Sequence, residues 1–176
     1  VEGDWSNAAF FLAAKALGSD INVRNLALDS PQGDRACAEL LPALVQSEQT
    51  IPAADIPDLV PILAVTAAAC HGAVFTDIGR LRLKESDRVE SVIAMLKALG
   101  GNASADADTL TVSGTGLRGG TVDSRNDHRI AMAAAIAATV CRETVTILGA
   151  ECVEKSYPGF FEEYRKSGGS YEQYLR

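Results

Sequence analysis

Several things are scarce in this sequence, and each shortage removes a class of function. No stretch of about 18 consecutive apolar residues occurs, which argues against a transmembrane helix. Nothing at the start has the layout of a signal peptide, and the opening Val1-Glu2-Gly3 has no methionine, as expected of a fragment. Cysteine is sparse and scattered. Cys37, Cys70, Cys141 and Cys152 form no C-x-x-C, no histidine stands at metal-ligand spacing, and the four read as reduced thiols of a cytoplasmic protein with no metal site. Positive charge is in deficit: the net charge is -7 and the pI about 4.8, which argues against nucleic acid as the main partner. No serine or cysteine has a base beside it in sequence, so a covalent nucleophile has no support.

What remains is 176 residues, 47% hydrophobic and 22% charged, long enough for one substantial core or two small ones. A repeated pattern runs through it. Residues 5–17, 58–70 and 127–140 read as Ala-rich helices, the first started by Ser6 or Asn7. Each is followed by a strand, over 21–26, 73–78 and 144–148. Second helices follow over 33–45, 86–99 and 158–166. The middle pair is trailed by a hairpin, 102–105 with 109–113, turning at Asp106-Ala107-Asp108. Small alanine side chains allow close helix packing, which places the first helix of each unit inside. The predicted organisation is one body over 1–176 with repeat-like units at about 1–56, 57–122 and 123–176, the first of them truncated. Residues 114–120 read as a glycine-rich loop, and 167–176 as a flexible, fraying tail.

Charge is placed unevenly on this pattern. Arg80 to Arg88 gathers four cations and two carboxylates into nine positions, just ahead of an apolar stripe of Val89, Val92, Ile93, Leu96 and Leu99. Asp87, with Glu90 after it, suits an N-cap. Glu85 and Arg88 extend the buried stripe rather than a wet face, so they need a reason. Asp58 heads the second Ala-rich helix and Asn126-Asp127-His128-Arg129 the third. One cap residue suffices there, which leaves His128 and Arg129 unexplained. Lys155 precedes Ser156-Tyr157-Pro158, where proline marks a helix start. If the units are related by pseudo-symmetry, these helix starts converge. Asp58, Glu85, Arg88, Arg129 and Lys155 then share a neighbourhood. Its cations suit a small multiply charged anion, and its carboxylates suit general acid–base work.

Arg82-Leu83-Lys84-Glu85-Ser86-Asp87-Arg88, Asn126-Asp127-His128-Arg129 and Lys155-Ser156-Tyr157-Pro158 resemble the C-terminal signatures of the 5-enolpyruvylshikimate-3-phosphate synthase (3-phosphoshikimate 1-carboxyvinyltransferase) family. The opening Val1-Glu2-Gly3-Asp4-Trp5-Ser6 and Gln32-Gly33-Asp34 are similar too. The resemblance implies an α/β (mixed α+β) fold, one lobe of an inside-out α/β barrel built from βαβαββ repeats, enolpyruvyl transferase-like, facing a complementary N-terminal lobe. It implies transfer of the enolpyruvyl group of phosphoenolpyruvate to the 5-hydroxyl of shikimate 3-phosphate, on the way to chorismate and the aromatic amino acids, without metal or organic cofactor. It assigns Asp58 as base and as a contact of the shikimate hydroxyls, and Glu85 to the proton at the methylene carbon. Arg88, Arg129 and Lys155 would grip phosphate and carboxylate, His128 would assist, and Lys84 would lie on the shikimate side. Arg80 stands where the family often has Asn or Glu, and the stretch from Val45 to Pro57 is shorter than the family's by roughly a hairpin. The chain alone is therefore expected to bind weakly and not to turn over. Two other readings compete: a transferase acting on UDP-N-acetylglucosamine, and a non-catalytic anion-binding domain. The pairing of Lys-Glu-Ser-Asp-Arg with Asn-Asp-His-Arg favours shikimate 3-phosphate.

Overall fold

The computed structural model describes residues 2–174; Val1 and the end of the predicted fraying tail, residues 175 and 176, lie outside the described residues. Two helices carry almost no polar surface and set the interior. In α3 (Val60–Ala69) every residue from Val60 to Ala68 is buried, and in α5 (His128–Ala137) every residue is. A helix apolar all round has no wet face to turn outward. These two pack on each other and on α1 (Trp5–Ala16), whose Trp5, Ala9, Phe10 and Ala13 face the same core. The cap of α1 is Asp4, whose carboxylate accepts from the Asn7 N–H at 3.2 Å, rather than Ser6 or Asn7.

The middle of the chain builds a complete strand–helix–strand–helix–strand–strand unit. β1 (Gln49–Pro52) crosses through α3 to its parallel neighbour β2 (Gly72–Thr76). A 3-10 turn, Ile78–Leu83, and α4 (Arg88–Ala98) follow, then the antiparallel β3 (Asn102–Ala105) and β4 (Thr109–Ser113). The sheet order is β1-β2-β4-β3. As expected, Asp87 caps α4, accepting from Val89 and Glu90 N–H at 3.1 and 3.2 Å. A second sheet pairs β5 (Gly120–Asp123) with β6 (Val145–Leu148) in parallel across α5. β5 starts inside the stretch that reads as a glycine-rich loop.

Each interior helix is followed by an extended run that reaches a left-handed residue, Asn25 (φ 65°), Asp77 (φ 58°) or Gly149 (φ 69°), before the chain turns. At Gly149 a Cβ would meet the Ser124 hydroxyl at 2.8 Å. The 3-10 turns Gly33–Ala36, Ile78–Leu83 and Ala150–Lys155 come next, and α2 (Cys37–Gln46), α4 and α6 (Phe160–Lys166) close each sequence.

The first unit departs from prediction. Residues 21–26 join no sheet; a Gly3 N–H to Asn25 C=O bond of 2.8 Å ties the segment down. β2, by contrast, is flanked by β1 and β4. The chain gives residues 21–26 no hairpin after α2, so apolar alternation alone does not make a ladder. The tail also differs. Tyr171 stacks on Phe161 with ring centres 5.2 Å apart, and the Arg165 guanidinium lies 4.3 Å from the Tyr171 ring centre. Among the described residues no helix is long and apolar enough to cross a membrane.

Candidate active site

The residues singled out in the sequence meet where α4 and α5 begin and the turn before α3 passes. Arg88, the first residue of α4, is only 2% exposed and is held from two sides. Its Nε donates to Asp127 Oδ2 at 2.9 Å, one Nη to Asp127 Oδ1 at 3.3 Å, and the other to Asp58 Oδ1 at 2.6 Å. Asp127 is itself fully buried, accepts from the Arg129 backbone N–H at 3.0 Å as the cap of α5, and receives the Ser86 hydroxyl at 3.0 Å. The expectation that Arg88 continues the buried stripe holds. Glu85 does not share it: it precedes the helix and is 41% exposed at its side chain.

Asp58 is the hub of the cations. Lys84 Nζ lies 2.9 Å from Oδ1, beside the Arg88 contact, and Arg129 lies 3.9 Å from Oδ2. It does not cap α3, which starts two residues later behind Leu59. Burial pushes the Asp58 pKa up, but hydrogen bonds from Lys84 and Arg88 and the charges of Arg88 and Arg129 outweigh it and hold the carboxyl at about 2. Asp58 is an ionised carboxylate clamped by cations.

Glu85 and His128 form a second pair, Oε2 to Nδ1 at 2.9 Å. Burial lowers the His128 pKa; the charge of Glu85 raises it and that of Arg129 lowers it, leaving the net shift downward. The imidazole is therefore neutral at neutral pH, with Nδ1–H donating to the carboxylate. Glu85, Asp127 and His128 present ligand atoms within 4.8 Å of one another. Both Asp127 oxygens are already taken by Arg88, Ser86 and a backbone N–H, so this donor set suits proton exchange at Glu85 better than a cation. Lys155, exposed at the end of its 3-10 turn, donates to the Asn126 carbonyl at 2.9 Å and so stands at the head of α5. Arg80 is outside the cluster; it donates to the Ala54 carbonyl at 2.7 Å and steadies the turn ahead of Asp58.

Asp127 as partner of Arg88, Ser86 beside it, and Asn7 near Arg129 escape a reading of the sequence alone. The signal for Asp127 is charge balance, since a buried guanidinium requires a carboxylate. A cavity of about 690 Å³ adjoins the first turn of α1, between α1, residues 20–26 and α6, with Asn7, Phe11, Ile21 and Tyr157 among its walls. The charged residues gather at the heads of α4 and α5, where Arg88, Asp127, His128 and Arg129 are buried and Glu85 and Lys155 are exposed.

A repeated α/β architecture gathers cations and carboxylates near its helix starts, and comparison with known proteins gives the chain a family. The family model described as EPSP synthase (3-phosphoshikimate 1-carboxyvinyltransferase) matches residues 1–164. The chain belongs to that family. Among curated relatives named 3-phosphoshikimate 1-carboxyvinyltransferase, one from Clostridium perfringens is 42% identical over 96% of this chain and 44% of its own length. One from Clostridium kluyveri is 40% identical over 99% and 45%. The solved EPSP synthase of Acinetobacter baumannii superposes with a TM-score of 0.85 at 25% identity, covering 95% of this chain and 46% of that one. The chain thus spans a little under half the length of the relatives it matches, over an enolpyruvyl transferase-like mixed α/β fold.

Proposed function

We propose that this chain is one lobe of an enzyme that transfers the enolpyruvyl group of phosphoenolpyruvate to the 5-hydroxyl of shikimate 3-phosphate and releases phosphate. The observation that carries the reading is the clamp on Asp58. One ionised carboxylate faces Lys84, Arg88 and Arg129 at the heads of α4 and α5, in a member of the EPSP synthase family. Cations at helix starts suit phosphate and carboxylate oxygens. Arg129 and Lys155 take the phosphate and carboxylate of phosphoenolpyruvate. Arg88, largely committed to Asp127 and Asp58, fixes the geometry and has little donor capacity left. Lys84 lies on the acceptor side.

An Asp58 carboxyl at about 2 is a poor base while three cations hold it. Anionic substrates that draw Lys84 and Arg129 toward themselves remove part of that depression while Arg88 stays in place, and Asp58 becomes a better acceptor for the proton of the 5-hydroxyl. Glu85, exposed and backed by neutral His128, exchanges the proton at the methylene carbon. The facing surface comes from a complementary lobe, whose closure excludes water. The four free cysteines fit a reducing, cytoplasmic setting.

The test is phosphate release by the chain assembled with its complementary lobe, given both substrates. Asp58→Asn and Glu85→Gln are expected to lower turnover by about 10²–10⁴-fold, and Arg129→Ala to cripple use of phosphoenolpyruvate. Intact turnover in all three variants sinks the reading. Preference for UDP-N-acetylglucosamine over shikimate 3-phosphate as acceptor would reassign the substrate.

A further inference from the structure

Arg129 poses a problem that the cluster around Asp58 does not solve. Its side chain is 8% exposed, yet its nearest carboxylate oxygen is 3.9 Å away and its buried Nε has no partner among the described residues. The backbone N–H of Arg129 is capped by Asp127, but that fixes the helix, not the side chain. Two groups from α1 remain. The Phe10 ring lies under the guanidinium with its centre 5.9 Å from Cζ, and Asn7 Oδ1 accepts from Nη1 at 3.5 Å, the outer limit of a hydrogen bond.

Asn7 is fixed independently of Arg129. Its Nδ2 donates to Asp4 Oδ2 at 3.0 Å and to the Ser156 carbonyl at 3.3 Å, and its backbone N–H donates to Asp4 Oδ1 at 3.2 Å. With the amide nitrogen engaged by two acceptors, the amide oxygen must face Arg129. The neighbouring Ser6 hydroxyl hydrogen-bonds Asp34, whose pKa is raised by burial and is affected by Asp58 and Arg129. The first turn of α1 therefore forms a wall of the site. The residue after Lys155 is tied to the same amide.

We infer that Asn7 is a positioning residue: it aims the Arg129 guanidinium at an incoming anion and couples that aim to the Lys155–Ser156 turn. This rests on the proposed role of Arg129 toward phosphoenolpyruvate. An amide oxygen suits the task because it orients a guanidinium without neutralising it, whereas a carboxylate there would compete with the ligand. The long contact and free Nε leave donors for that ligand.

Two measurements test it. In the chain with its complementary lobe, Asn7→Ala is expected to raise KM for phosphoenolpyruvate about tenfold while KM for shikimate 3-phosphate stays within about twofold. Asn7→Ser, which keeps an oxygen acceptor, is expected to recover part of the loss. Calorimetric titration of inorganic phosphate into the chain alone is expected to show about fivefold weaker binding for Asn7→Ala than for the parent. Equal KM changes for both substrates, or unchanged phosphate affinity, overturns the positioning role while parent turnover still supports the function. A parent that neither turns over nor binds phosphate overturns the reading of Arg129 on which the inference stands.

Discussion

The starts of α4 and α5 each carry a buried arginine, and the two are held in opposite ways. Arg88 is locked between two carboxylates, with hydrogen bonds of 2.9, 3.3 and 2.6 Å. Arg129 has a carboxylate only at 3.9 Å, an amide at 3.5 Å and an unpartnered Nε. Removing the partner of a matched buried cation is costly, whereas the under-matched Arg129 keeps donor capacity that the proposed function assigns to a ligand. The same contrast separates the middle unit, whose strands all have neighbours, from the first, where residues 21–26 form no ladder.

The largest expected effect breaks the locked side. Arg88→Met leaves Asp127 buried without its cation and is expected to cost about 3–5 kcal/mol in urea unfolding. Pairing it with Asp127→Leu should recover most of that, less about 1 kcal/mol for the lost cap of α5. Equal stability of the single and double variants would mean that the pair is not what holds the helix starts together. On the open side, Arg129→Met should change unfolding by about 1 kcal/mol or less, yet weaken phosphoenolpyruvate or phosphate binding tenfold or more, about 1.4 kcal/mol.

Acid sharpens the contrast further. The Asp58 carboxyl lies below its ordinary value, so its contribution to stability is present above about pH 4 and is lost as pH falls toward 2. With a third of the side chain exposed, about 1 kcal/mol is expected, and Asp58→Asn should flatten that limb in a thermal-unfolding series. The smallest effect belongs to His128, whose pKa is lowered in the folded chain. Its contribution is present above about pH 6.5 and fades below it. His128→Gln should remove that slope and leave the lower limb unchanged.

The interior was legible where local pattern and burial coincide. The apolar run from Val60 to Ala68 can only be inside, and Asp87 announces the cap of α4 three residues ahead of Glu90. Pairing between distant segments was not legible. Residues 21–26 alternate like a strand, but a ladder depends on neighbours elsewhere in the chain; β5 hides in a glycine run and is set by β6. At the site, the meeting of Asp58, Arg88 and Arg129 is what converging helix starts lead one to expect, whereas the Lys84 contact with Asp58 is not. The Arg88–Asp127 lock spans 39 residues, and the Arg129–Asn7 contact 122. No local rule links either pair.

The division between a locked and an open arginine is tested most directly by watching both guanidinium Nε–H groups while inorganic phosphate is titrated into nitrogen-labelled protein. The Arg129 resonance should shift with added phosphate and saturate, while the Arg88 resonance, donated to Asp127, should hardly move. A shift at Arg88 with none at Arg129 would contradict the account.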